Sequence, residues 1–218
     1  MQLRKTTFHS YFSKIVIIFF TASLGFVSTS GWTTTPRFDE GIDYKRLNKN
    51  HRYKKTKKIE VVEFFGLFCP HCRKFNPAIT DWSKKAPENV VFMKLHVPFR
   101  ELSHQRLYFT LKKMNLADKY INLLFREIQD NRIPLKNYLS IITWAEDNNI
   151  NTNDFEENWN SDAVKSSMRE ATLLMKTFEI RGVPQIIVDG EFLTSPAMAG
   201  SNKRLIILLD YLISLRTR

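Results

Sequence analysis

Between Lys58 and Phe68 the chain reads KIEVVEFFGLF, an almost continuous run of apolar and β-branched residues. Such a run, with few polar interruptions, predicts a strand buried on both faces. The next stretch, CPHCRKFNPAITDWSKK, sets Phe75, Ile79 and Trp82 three and four residues apart and puts Pro70 near a first helical position. A helix is therefore expected to begin at the cysteines, and Pro77 is expected to kink or shorten it. NVVFMKLHV, residues 89–97, returns to strand character and completes a parallel strand-helix-strand unit with a right-handed crossover.

From Ser103 to Phe178 the pattern is helical, with apolar residues at three-to-four spacing in LKNYLSIITWAEDNN and DAVKSSMREATLLMKTF. Ser103 is expected to cap one of these helices and Pro134 to open another. Strand character resumes in RGVPQIIVDGEFL, where Asp189-Gly190 predicts a hairpin turn. SNKRLIILLDYLISLRTR closes the chain as an amphipathic helix capped by Ser201 or Asn202. The fold class is α/β: a core domain from residues 59–101 and 179–218, with an all-helical subdomain, 102–178, inserted between them. No internal repeat or low-complexity tract interrupts this order.

Composition narrows the class. At 218 residues and 43% hydrophobic, with seventeen Phe and few Gly or Pro, the chain is globular; disorder and collagen-like repeats are excluded. Residues 1–30 stand apart: Arg4, Lys5 and Lys14 precede the apolar run IVIIFFTASLGFV, and Ser28, Thr29 and Ser30 follow. That order is an export signal, with cleavage placed near Ser30; a retained amino-terminal anchor is the alternative. The formal charge of +11 is concentrated in Tyr44–Lys58, which holds eight Lys or Arg and no acid and lies in a basic lead-in, 31–58. A solvated segment ahead of the first strand is the favoured reading of that run, over a nucleic-acid or anionic-membrane patch.

Export changes the meaning of the two cysteines, Cys69 and Cys72, because it places them in an oxidising compartment. A disulfide across two residues closes a very small loop and stabilises a fold little, so a structural staple is a weak reading. A metal site lacks ligands: there is no second Cys-x-x-Cys, and His9, His51, His71, His96 and His104 show no ligand spacing. Arg73 stands where haem attachment requires His. A reactive pair fits best. Cys69 at a helix start faces unpaired N–H groups that favour the thiolate, Cys72 lies one turn on to resolve a mixed disulfide, and Pro70 and His71 tune the potential. A pKa lowered by about 3 units favours the thiolate by about 4 kcal/mol and raises the potential by about 90 mV.

These residues resemble the DsbA-type thiol:disulfide oxidoreductases of the bacterial periplasm, in the thioredoxin-like superfamily. The resemblance runs from about Phe38 to the last helix and is strongest in EFFGLFCPHC, KLHV (Lys94–Val97), WNS (Trp159–Ser161) and RGVPQIIVDGEF; EGIDYKRL, Glu40–Leu47, is similar to the family's lead-in. That family is itself a reference case for a depressed cysteine pKa and an oxidising potential, so the magnitudes above are not independent of it. The resemblance implies a thioredoxin-like fold, a cis Val183-Pro184 bond facing the disulfide and receiving substrate, and a buried Glu63 and Lys94 that move the proton of Cys72. Val183, where the family's isomerases carry Thr, is similar to the oxidase branch. Asn76 departs from the acid found at this position in many members, and with Arg73 and Lys74 it makes the face more basic, which favours the thiolate further.

Phe65, Phe68 and Phe75 are expected mainly in the core, with Phe68 the candidate for a surface ring beside Cys69; His96 is expected to be structural, and Met198 to border a peptide groove. The function implied is donation of the Cys69-Cys72 disulfide to reduced cysteines of exported proteins by a periplasmic monomer. No metal, other cofactor or nucleic acid is implied, and a DsbB-type quinone-linked inner-membrane protein would reoxidise the pair. Two readings stay open: a disulfide isomerase or reductase of the same fold, and a non-enzymatic binding module built on the basic segment.

Overall fold

The computed structural model describes residues 37–48 and 57–216. The export signal lies outside the described residues, as does the middle of the basic run Tyr44–Lys58. Five strands form one mixed sheet: β1 (Tyr44–Arg46), β2 (Ile59–Phe65), β3 (Val90–His96), β4 (Gln185–Val188) and β5 (Phe192–Thr194), in the order β1-β5-β4-β2-β3. β2 runs parallel to β3 and antiparallel to β4, while β5 pairs antiparallel with both β4 and β1. Every residue of β2 is buried, Glu60 and Glu63 included, as its almost continuous apolar run predicts for a strand covered on both faces.

Side-chain alternation along β2 sorts the core into two layers. Ile59 and Val61 join Val90, Ile186 and Val188 under helices α1 (Pro70–Lys85) and α7 (Asn202–Ser214). Val62 and Phe64 join Met93, Leu95 and Ile187 against the helical layer on the other face. That layer is α2 (Leu102–Lys113), α3 (Ala117–Gln129), α4 (Tyr138–Asp147), α5 (Thr152–Asn160) and α6 (Asp162–Thr177), all between β3 and β4. Parity therefore puts Glu63 on the α1 side, and the parallel register places Lys94 directly opposite it.

Three local expectations need correction. α1 is not shortened at Pro77: it continues to Lys85, because the missing N–H falls on the exposed side while Cys72, Phe75, Asn76, Ile79 and Trp82 bury the other face. Ser103 is no cap, since α2 begins at Leu102 with Glu101 as its capping residue; the Ser103 hydroxyl donates instead to Glu101 Oε1 or Leu135 O. Pro134 does not open α4, for Asn137 caps that helix by accepting the Ser140 N–H at 2.9 Å. Ser201, of the two residues considered, caps α7. In the β4-β5 hairpin Asp189 and Gly190 both take positive φ, 52° and 68°, as a hairpin-compatible turn demands.

Candidate active site

The loop from β2 into α1 is clamped by hydrogen bonds. Leu67 N–H donates to His96 Nε2 at 3.0 Å, Gln129 Nε2 donates to Leu67 O at 2.7 Å, and Cys69 N–H donates to Gly66 O at 3.0 Å. Gly66 suits the same packing, because a Cβ there would lie 2.5 Å from the Phe68 ring and would force that ring to move. Burial pulls the His96 pKa down to about 3, so its ring stays neutral and keeps accepting the Leu67 N–H. His96 is structural, as its sequence position suggested.

Cys69 is the residue that caps α1. Its Sγ accepts the Cys72 N–H at 3.1 Å, and Pro70 occupies the first helical turn, where a missing N–H costs nothing. The two thiols are free and both buried. The Cys69 pKa falls from 9.0 to about 7, first through the hydrogen bond from the Cys72 thiol, against the opposing effect of burial, and then through the backbone N–H groups of Cys72 and His71. Burial pushes the Cys72 thiol strongly upward, and its hydrogen bond to Cys69 adds to the rise. The asymmetry assigns the thiolate to Cys69. A fall of this size favours the thiolate by about 3 kcal/mol at pH above both values, a smaller shift than expected from sequence. His71 contributes its backbone N–H, and its exposed side chain belongs to the groove beside the sulfur.

Across from Cys69, the Val183-Pro184 peptide bond is cis, and Val183 O lies 3.3 Å from Cys69 Sγ. A groove of about 450 Å³ opens there, lined by His71, Lys74, Pro184, Gln185, Ala197 and Asn202 among others. Pro196 and Ala197 border it where Met198 was expected; Met198 is absent from the lining, and its N–H donates to Ser195 Oγ at 3.1 Å. Phe68 is half-buried, with the Arg100 guanidinium 5.6 Å from its ring centre, and it does not line this groove. Phe65 and Phe75 are core residues.

Beneath the cysteines, Glu63 and Lys94 form a buried ion pair at 3.5 Å. Burial holds the Glu63 carboxyl above the usual carboxylate range, with Lys94 opposing the shift, and the Glu63 charge raises both cysteine pKa values. Asn76, already set beside the site by sequence, and Asn122, which sequence reasoning missed, complete the network: Asn76 Oδ1 accepts from Lys94 Nζ, and Asn76 Nδ2 donates to Asn122 Oδ1 at 2.9 Å. A polar Asn76 on the apolar face of α1, four residues after Cys72, was the available signal; Asn122, on α3, left none. The basic face needs correction too. Arg73 makes a bidentate pair with Asp130 at 2.5 and 2.6 Å, so its charge is balanced, and Lys74 turns to the groove.

This geometry has relatives. A DSBA-like thioredoxin domain model matches residues 101–206, and a thioredoxin model matches residues 44–106. The thiol:disulfide interchange protein DsbA of Pseudomonas aeruginosa is 30% identical over 196 residues, covering 88% of this chain and 93% of its own. That of Burkholderia cepacia is 30% identical over 158 residues, covering 72% and 74%. The crystal structure of Pseudomonas aeruginosa DsbA superposes with a TM-score of 0.79 at 29% identity, over 83% of this chain and 95% of that one. With two adjacent thiols of opposed acidity at a helix start and this likeness along most of its length, the chain belongs to the DsbA family of thiol:disulfide oxidoreductases.

Proposed function

We propose that the protein works as an oxidase of exported proteins, with Cys69 as the sulfur that substrates attack. The observation that carries this reading is the split between the two thiols: Cys69 is lowered to about 7 while Cys72 is raised by burial. A substrate thiolate attacks Cys69 Sγ of the disulfide, the Cys69-Cys72 bond breaks, and Cys72 leaves with the electron pair. A buried thiolate is a poor leaving group unless it takes up a proton. Glu63, whose carboxyl holds its proton more tightly than usual, supplies that proton, and Lys94 stabilises the carboxylate that remains. A second substrate thiolate then attacks the substrate sulfur of the mixed disulfide, and Cys69 leaves as its stabilised thiolate. The substrate gains one disulfide, and the Cys69-Cys72 pair gains two electrons.

The cis Val183-Pro184 loop and the groove beside His71 receive the substrate chain around its cysteine in this reading. The likeness to DsbA proteins supports a periplasmic setting, entered through the signal at residues 1–30, and reoxidation by a quinone-linked membrane protein of the DsbB type. The test mixes the oxidised protein with a reduced test protein carrying two cysteines. The wild-type chain is expected to transfer one disulfide per molecule and Cys69→Ser to transfer nothing; Cys72→Ser, offered instead a single-cysteine test protein activated as its mixed disulfide with 5-thio-2-nitrobenzoate, is expected to displace that thiolate through Cys69 and accumulate the mixed disulfide with the test protein. Transfer by Cys69→Ser at the wild-type rate would rule out this assignment.

A further inference from the structure

We propose that a second groove, between α2, α5 and α6, binds an acidic peptide segment carrying an apolar anchor residue. The groove encloses about 730 Å³ and shares no lining residue with the one beside the cysteines. Its apolar wall is Leu102, Trp159, Met168 and Leu173, and two of these are unusually open: Leu102 is 58% and Leu173 63% exposed. Five cations, Arg106, Lys136, Lys165, Arg169 and Lys176, surround that wall against a single acid, Glu101. Arg106 is engaged by the Trp159 carbonyl and Asn160, and Lys165 by Asp162. Lys136, Arg169 and Lys176 make no ion pair among the described residues, so the charge around the groove is uncompensated.

The floor supplies the second, independent observation. Gln105 is fully buried, its Nε2 donates to His96 O at 2.8 Å with Thr172 Oγ1 3.5 Å away, and its Oε1 has no hydrogen-bond partner among the described residues. The bond to His96 fixes which end of the amide is oxygen, so the unpaired atom is an acceptor in need of a donor. The three requirements select among ligands. A fatty acid offers a carboxylate and a tail but no N–H, and inorganic phosphate offers no apolar part. A peptide offers all three: backbone N–H for Gln105, an apolar side chain for Trp159 and Leu173, and Asp or Glu for the cations.

The test titrates the full-length protein with a dye-labelled peptide of sequence EDLFED, read by fluorescence anisotropy in the oxidised and the reduced state. Binding is expected in both states, weakening as added salt shortens the screening length. The exposed double substitution Arg169→Glu, Lys176→Glu is expected to weaken it about tenfold or more. Leu173→Asp should weaken it similarly, while transfer of the Cys69-Cys72 disulfide stays unchanged in every variant. A reversed-charge peptide, KKLFKK, should not bind. No EDLFED binding, equal binding by the double variant, or displacement of the peptide by dodecanoate or phosphate at sub-stoichiometric levels would each overturn the proposal. These outcomes are separate from the oxidase reading, because none depends on disulfide transfer.

Discussion

Cys69 owes its acidity to a neighbour that is itself made basic. The Cys72 thiol is the first cause of the lowered Cys69 pKa, ahead of the helix-start N–H groups. Cys72→Ala keeps those N–H groups and removes the thiol donor, so the Cys69 pKa should rise by about one unit, read from the pH dependence of alkylation. Glu63→Gln removes the proton source proposed for the leaving Cys72. Disulfide transfer at neutral pH should slow by about tenfold to a hundredfold, with Cys69 alkylation little affected; equal slowing of both would place Glu63 in the structure and outside the chemistry. Cys69, Cys72, Pro70, Glu63 and Lys94 were all legible in the sequence, the first three from their spacing and the last two through the family pattern. Asn122 was not, because what ties it to the site is a hydrogen bond to Asn76 from a helix forty-six residues away in sequence.

Among the elements, strands were easier to read than helix starts. The seven buried residues of β2 announce themselves by their continuous apolar run, whereas a helix start depends on which side chain reaches an unpaired N–H. Ser103 and Pro134 carry the right chemistry in the wrong turn; Asn137, three residues past the proline, makes the bond. Asn137→Ala should therefore lower stability by about 1 kcal/mol in denaturant unfolding, while Pro134→Ala should leave the start of α4 where it is. The β2-β3 register has the larger consequence for the site. It sets Glu63 opposite Lys94 on the face covered by α1, so the buried ion pair follows from strand parity once α1 is known to carry the cysteines.

For the whole molecule, the depressed Cys69 pKa links redox state to folding stability. A thiol whose folded pKa lies below its unfolded value stabilises the fold fully above the unfolded value, near 9.0, and loses that contribution as pH falls through the folded value of about 7. The reduced protein should accordingly gain up to about 3 kcal/mol relative to the oxidised protein between pH 6 and pH 9, measured by denaturant unfolding of both forms. A fold that favours its reduced state in this way gives its disulfide away readily. The direct test is an ultraviolet thiolate titration of the reduced, native protein. One thiolate should appear with a midpoint near pH 7, with the second still protonated at pH 9; two thiols titrating together near pH 9 would contradict the account.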